Sequence, residues 1–258
     1  MSTWEQEQKR VAEVGKTFDV NARRLQMEIV RDEGLHRHIK FAQPGSGLYR
    51  FDLVTWPGHL AISGDVETFV FSREPDMFEF FGGRRSRINP TYWAEKVKAG
   101  REQLTSYDEA SARQQVLEYF TEAVKDGGVP RGLGREIREY ILTDEEFAYE
   151  EGAHRLLDGF RYGTRYTSWC TERLCFERCW EETEDAAERW AKEHTKVHPL
   201  VSHVMQVPAF EFRDSWEWDL TTWDFHFLYA CHAITWGIGK YYARKMMPPR
   251  LWAKHGRL

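Results

Sequence analysis

The sequence is poor in cysteine and has no long apolar run, and each shortage excludes a class of protein. Its cysteines are Cys170, Cys175, Cys179 and Cys231. Four cysteines in 258 residues are too few and too unevenly spaced for the disulfide framework of a secreted domain. No run of about 18 apolar residues occurs, and the N-terminal segment lacks the apolar core of a signal peptide. We therefore expect a soluble cytoplasmic protein with reduced thiols and no membrane partner.

Positive charge is also in short supply. The chain has 36 Lys and Arg against 41 Asp and Glu, which gives a formal net charge of −5. This balance excludes a surface that is built as a whole to bind nucleic acid, because such binding neutralises phosphates with clustered basic side chains. A local basic patch is still compatible with it. Aromatic residues make up 15% of the chain, which favours an aromatic core over disorder.

The clearest structural pattern lies between residues 37 and 72. Pro-Gly-Ser-Gly, Trp-Pro-Gly-His and Ser-Gly-Asp separate apolar stretches there, and such residues are typical of tight turns between antiparallel strands. The predicted strands are 37–43, 48–55, 59–63 and 66–72. The apolar face of this meander is predicted to consist of Phe51, Leu53, Leu60, Ile62, Phe69 and Phe71.

Helical spacing dominates elsewhere. Apolar residues three and four apart predict one long or two short helices over 4–33. Spacing and cap signals predict further helices at 76–81, after Pro90, and at 106–125, 134–142, 143–157, 168–194 and 221–245. Residues 199–213 predict one or two more strands. The predicted fold class is α+β: one domain over 1–258, strand-rich over 37–72 and mainly helical over 73–258, in which a small antiparallel β-meander is packed and wrapped by several α-helices.

Four segments resemble proteins of uncharacterised function from bacteriophages and prophages. They are HLAISGDVETFVFSR (59–73), DMFEFF (76–81), INPTYWAEK (88–96) and HFLYACHAITWGIGKY (226–241). The resemblance keeps the same order over most of the chain. It implies a phage or mobile-element origin and a place in the host cytoplasm, and it brings no established catalytic residues with it.

One hairpin contains candidates for acid–base chemistry. His59, Asp65 and Glu67 lie close together in sequence, and alternate residues of a strand share a face. A histidine with two carboxylates can transfer protons or hold a divalent cation. The alternative is that Ser-Gly-Asp is only a turn, in which Asp65 bonds to nearby backbone.

Two basic segments are candidates for binding an anion or a partner. Arg84, Arg85 and Arg87 follow a Gly-Gly pair and precede a predicted helix start, where guanidinium and helix N–H groups suit phosphate or an acidic partner. A solvated basic loop is the alternative. The segment 240–258 has six basic residues among aromatic rings, a pattern that suits single-stranded nucleic acid but also a solvated tail.

The cysteines raise the question of a metal. Cys175 and Cys179 are four residues apart on the predicted helix 168–194, with Cys170 upstream and His194, His198 and His203 downstream. A metal would require four converging ligands. Because no Cys-x-x-Cys pair is present and buried cysteines behave as small apolar residues, we expect structural cysteines, no metal and no cofactor.

Two functions stay open at this point. The favoured one is a phage-encoded accessory protein that binds a host or phage macromolecule without catalysis, most simply a protein, for example to counter host defence. The alternative is an enzyme or a nucleic-acid or nucleotide-handling protein, with a pocket formed by the 56–67 hairpin and the 84–87 arginine loop. No phosphate loop, dinucleotide fingerprint or nucleophile elbow supports that alternative.

Overall fold

The computed structural model describes residues 3–82 and 87–246, and these form two compact units. Unit 1 comprises Met1–Ser106 and Thr222–Leu258, and unit 2 comprises Tyr107–Thr221. Helices and antiparallel sheets occur in both units, which confirms the α+β class. A single domain over 1–258 stays a prediction, because compactness does not show whether either unit folds alone.

The α-helices are α1 Thr3–Ala22, α2 Met77–Gly82, α3 Pro90–Ala94, α4 Glu109–Asp126, α5 Leu133–Ile137, α6 Glu150–Gly159, α7 Glu184–His194 and α8 Phe225–Met246. The β-strands are β1 Gln26–Glu33, β2 His36–Ala42, β3 Phe51–Trp56, β4 His59–Gly64, β5 Phe69–Ser72, β6 Val97–Ala99, β7 Thr105–Tyr107, β8 Arg161–Trp169, β9 Arg178–Glu181, β10 Met205–Glu211 and β11 Thr221–Trp223. None of the described helices is long and apolar enough to cross a membrane.

A six-stranded antiparallel sheet forms the centre of unit 1, with its strands in the order β1 to β6. The predicted meander is confirmed in β2 to β5, with β1 and β6 added at the two edges. Its six predicted core residues have no exposed surface. They pack with side chains of α1, α2 and α8 into one apolar cluster, because strand alternation directs every second residue to the same face.

Two segments predicted as helical contain strands instead. The predicted helix over 4–33 ends at Ala22, and residues 26–33 form β1 because Met27 pairs with Phe41 and Ile29 with Ile39. The expectation of mainly helical structure over 73–258 is wrong for residues 161–181, where β8 and β9 join β10 in a three-stranded sheet with β8 in the centre. The strand predicted within 199–213 is confirmed as β10. The predicted helix over 168–194 is only α7.

Unit 2 has a smaller apolar core. Helices α4, α5 and α6 pack around it with the aromatic residues Phe147, Phe160, Phe210 and Phe212. Residues 163–209, all within the described part of the chain, contribute no member to either apolar cluster. We call residues 163–209 the three-stranded lobe; in it, α7 packs against β8 and β9.

Candidate metal centre

Two cysteines and two histidines of the three-stranded lobe converge. One ligand atom from each of Cys170, Cys175, His194 and His198 lies within 4.8 Å of all the others. The Sγ atom of Cys175 is 3.5 Å from Nε2 of His194, and Nδ1 of His198 is 3.2 Å from the same Nε2. Zinc bonds of 2.0–2.3 Å in a tetrahedron separate neighbouring ligand atoms by about 3.3–3.8 Å. Both separations are close to those values.

The two cysteines come from the loop between β8 and β9. Cys170 follows β8 directly, and its N–H donates to the carbonyl oxygen of Glu177 at 3.0 Å, which extends the pairing of the two strands. Cys170 also bridges to Val201 on the other side. The N–H of Cys175 donates to the carbonyl of Glu172 at 3.1 Å and closes a turn. The hairpin loop therefore folds back and brings both thiols together.

The two histidines come from the end of α7. Thr183 caps the start of this helix, since its Oγ1 accepts a hydrogen bond from the N–H of Ala186 at 3.4 Å. His194 is the last residue of α7, and the N–H of His198 donates to its carbonyl at 2.9 Å. This bond continues one helical turn, and residues four apart on a turn lie on the same side.

The imidazole of His194 is oriented by two neighbours. Its Nδ1 lies 3.2 Å from Oε2 of Glu177, and its ring stacks on Trp190 with a centroid distance of 4.7 Å and an interplanar angle of 11°. When Nδ1–H donates to the carboxylate, Nε2 has the free electron pair, and Nε2 is the atom that faces Cys175 and His198. A carboxylate behind a ligating histidine is the usual second layer of a zinc site.

Electrostatics around the two thiols favour a cation. Burial raises the pKa of the Cys170 thiol, and the adjacent Cys175 raises it further. The sulfur atom of Cys170 therefore resists ionisation when no positive charge is near. A divalent cation reverses this preference because it binds thiolates directly and compensates their charge.

The sequence-predicted catalytic residues do not converge. His59 is the first residue of β4 and Asp65 follows its last residue, so the rise of a strand separates them by roughly 20 Å. Oδ2 of Asp65 accepts a hydrogen bond from the N–H of Tyr49 at 2.7 Å, which ties it to the loop before β3. Oε2 of Glu67 accepts one from the side chain of Gln103 at 2.9 Å. These contacts fix loops and form no acid–base pair.

The predicted anion site is described only in part. Arg84 and Arg85 lie outside the described residues. Arg87 donates to Oε1 of Gln8 at 2.9 Å, and thus one of its donors has a partner within unit 1. Residues 240–246 of the basic segment 240–258 form the end of α8, and residues 247–258 lie outside the described residues.

The convergence of these four side chains was not predicted, because the sequence pattern was interpreted with Cys175 and Cys179 as the neighbouring pair on one helix. Cys179 lies on β9 and is not one of the four converging residues. The usable signal was the spacing Cys-x₄-Cys at 170–175 with His-x₃-His at 194–198, which lies within the range of zinc sites. Comparisons of the chain with protein-family models, with curated proteins and with solved structures give no match.

Proposed function

We propose that the protein is a non-catalytic binding protein for a host or phage macromolecule, and that a structural zinc ion holds its three-stranded lobe together. The observation that carries this proposal is the convergence of Cys170, Cys175, His194 and His198 within 4.8 Å. Two sulfur and two nitrogen donors in a tetrahedral arrangement are typical of zinc.

The number of ligands supports a structural role for the ion. Four protein side chains complete a tetrahedron, whereas catalytic zinc sites use three and leave one position for water or substrate. The carboxylate of Glu177 adds no fifth ligand, because it lies against Nδ1 of His194, on the side away from the cluster. The ion then stabilises a fold that presents a surface for binding.

The composition of the lobe supports the same role. Its buried residues are Thr167, Ser168, Cys170, Cys179 and Ala187. All of these side chains are small, so burial of apolar area adds little to its stability. Small folds without a large core usually require a metal or disulfides, and the free energy of metal binding then becomes free energy of folding.

The metal content of the purified full chain tests this proposal. Protein prepared without chelator should contain one zinc per chain by elemental analysis, and the cobalt-substituted protein should show the visible absorption of a tetrahedral site with two thiolates. Cys175→Ser and His198→Ala should each lose the zinc. His203→Ala is the matched control, because His203 is exposed and outside the cluster, and it should keep the metal. Wild-type protein without stoichiometric metal after zinc supplementation would overturn the proposal.

A further inference from the structure

We propose that the open face of the three-stranded sheet binds single-stranded nucleic acid. The residues that would make contact are Arg165, Trp169, Phe176, Arg178 and Trp180, which we call the aromatic–arginine row. The inference rests on the proposed function, because the zinc ligands Cys170 and Cys175 hold the loop from which Phe176 projects.

Four members of the row lie in continuous contact across two strands. Trp169 of β8 pairs directly with Arg178 of β9. The guanidinium carbon of Arg178 is 5.3 Å from the ring centroid of Trp169 and 5.3 Å from that of Trp180. The guanidinium carbon of Arg165 is 5.9 Å from the ring of Trp180 on its other side. Cations and rings therefore alternate along one face of the sheet.

Phe176 extends the row at the end nearest the metal cluster. It precedes Arg178 by two residues, and the hydrogen bond from Cys170 to Glu177 continues the strand pairing past β9. Alternation along an extended chain therefore places Phe176 on the side of Arg178. Its side chain is 92% exposed and that of Trp180 is 43% exposed. Two aromatic rings are thus available to solvent on a surface that the zinc site holds in place.

The opposite face of the same strands is already occupied. Ser168 and Cys179 alternate with the row and are buried, and α7 packs against β8 and β9. On the row's face Thr167, which pairs with Trp180, is also buried, whereas Arg178 and Trp180 are exposed to solvent. The exposed members of the row are therefore the part of this face that can meet a ligand.

The charges of the row favour phosphate. Neither Arg165 nor Arg178 has a carboxylate partner among the described residues, and Arg165 donates to the carbonyl of Gly128. A guanidinium that stacks on a ring uses its face, and its N–H edges stay free to donate to phosphate oxygens. Both arginines thus keep donors for an anionic ligand in spite of the net charge of −5.

The rings favour a single strand over a duplex or an acidic protein. Bases of a single strand can stack on aromatic rings and on guanidinium planes, whereas bases in a duplex are stacked on each other. Side chains of one face recur at about 6.7 Å along a strand, which allows successive nucleotides to meet successive members of the row. A sheet face with stacking rings and basic residues is a common design for such binding.

Fluorescence anisotropy of the zinc-loaded full chain with a labelled oligothymidylate of about ten nucleotides tests the inference. Trp180→Ala should weaken binding roughly 5- to 150-fold, the range expected from loss of one stacked base. The matched control is Trp216→Ala, because Trp216 is 66% exposed and lies outside the lobe; binding should not change. Contacts from two arginines predict a slope of log K against log salt of about −1.4, and Arg178→Ala should reduce its magnitude by about 0.7.

The zinc content of each variant separates the two proposals. A chain with one zinc that fails to bind the oligonucleotide overturns the inference and leaves the metal site standing. Binding by a wild-type chain that takes up no zinc even after zinc supplementation supports the row and overturns the metal proposal. Binding that is equally tight to a duplex or to polyglutamate, or unchanged in Trp180→Ala, also overturns the inference, since it would indicate general charge attraction or an acidic protein partner.

Discussion

In unit 1, phenylalanines from several elements pack against one another, whereas the three-stranded lobe of unit 2 buries only small side chains beside four candidate metal ligands. Phe41 and Phe51 stack at 4.7 Å, and Phe71 meets Phe81 edge-on at 5.1 Å. The buried residue of α7 is Ala187, and the described residues 163–209 contain no buried phenylalanine. Because the lobe buries so little apolar side chain, we expect the lobe, and not the sheet of unit 1, to depend on an ion for its stability.

The largest expected effect is the response of the lobe to removal of zinc. Structural zinc supplies about 10–16 kcal/mol of apparent binding free energy in zinc-finger peptides, which is far more than the small buried side chains of the lobe can offer. A chelator should therefore abolish amide-exchange protection in residues 163–209. Residues 36–72 of unit 1 should keep theirs, because their core contains no ligand. Hydrogen-exchange mass spectrometry measures both regions in one sample.

The result that contradicts this comparison is specific. Elemental analysis must first show that the zinc has been removed. If protection over 163–209 then persists, the lobe is stable by itself and the ion has another role. If protection over 36–72 disappears as well, the two regions do not differ in the way that their cores indicate.

How well the sequence predicts the fold also differs from one part of the molecule to another. The meander was predictable because its turns contain the residues that turns require, such as Gly58, whose φ of 80° suits glycine. The strand β1 was not predictable, because the spacing of Leu25 and Ile29 fits a helix as well as a strand. Only the pairing of Ile29 with Ile39 decides for a strand, and that contact is distant in sequence.

The candidate site was harder to predict for a related reason. Both ligand spacings are visible in the sequence, but their convergence depends on the β8–β9 hairpin and on the end of α7 at His194. The continuous helix predicted over 168–194 would separate the thiols of Cys170 and Cys175 from His194 by several helical turns. The aromatic–arginine row likewise depends on the register that places Trp169 opposite Arg178.

A smaller effect is expected from truncation of a core phenylalanine in unit 1. Phe71→Ala should lower the free energy of unfolding by about 3–5 kcal/mol, because it leaves a cavity in a side-chain cluster with no exposed surface. The same result is expected for Phe69→Ala. Urea unfolding of the full chain, followed by amide hydrogen exchange in peptides from residues 36–72, measures the change in the free energy of unfolding of unit 1.

The same substitution in the lobe is the matched control for this comparison. Phe176 is 92% exposed, so Phe176→Ala should change stability by no more than about 0.5 kcal/mol. Zinc content should be unchanged in all three variants. Equal stability losses at positions 71 and 176 would refute the assignment of one phenylalanine to the core and the other to a binding surface.

The smallest expected effect concerns an ion pair that unit 1 holds without any metal. Arg37 donates two hydrogen bonds of 2.7 Å to the carboxylate of Asp76, and their side chains are only 9% and 16% exposed. The hydrogen bonds from Arg37 hold the pKa of Asp76 below its ordinary value of 3.8. A carboxyl group whose pKa is lower in the folded state stabilises the fold above the unfolded pKa, and this contribution disappears as the pH falls through the folded pKa.

Asp76→Asn should therefore cost about 1.5–3 kcal/mol at neutral pH, because it leaves the guanidinium of Arg37 buried without its anion. The difference from wild type should begin to shrink as the pH falls below about 4, where the carboxyl group of the unfolded wild-type chain becomes protonated, and it should be lost below the lower pKa of the native carboxyl group. Urea unfolding of unit 1 at a series of pH values measures this, with a chelator present throughout so that zinc does not contribute. Glu74→Gln is the control, because Glu74 is half exposed beside Arg73. It should change the free energy of unfolding by no more than about 0.5 kcal/mol at every pH. A difference between Asp76→Asn and wild type that stays constant down to pH 2 would show that packing, and not the charge of Asp76, accounts for the loss.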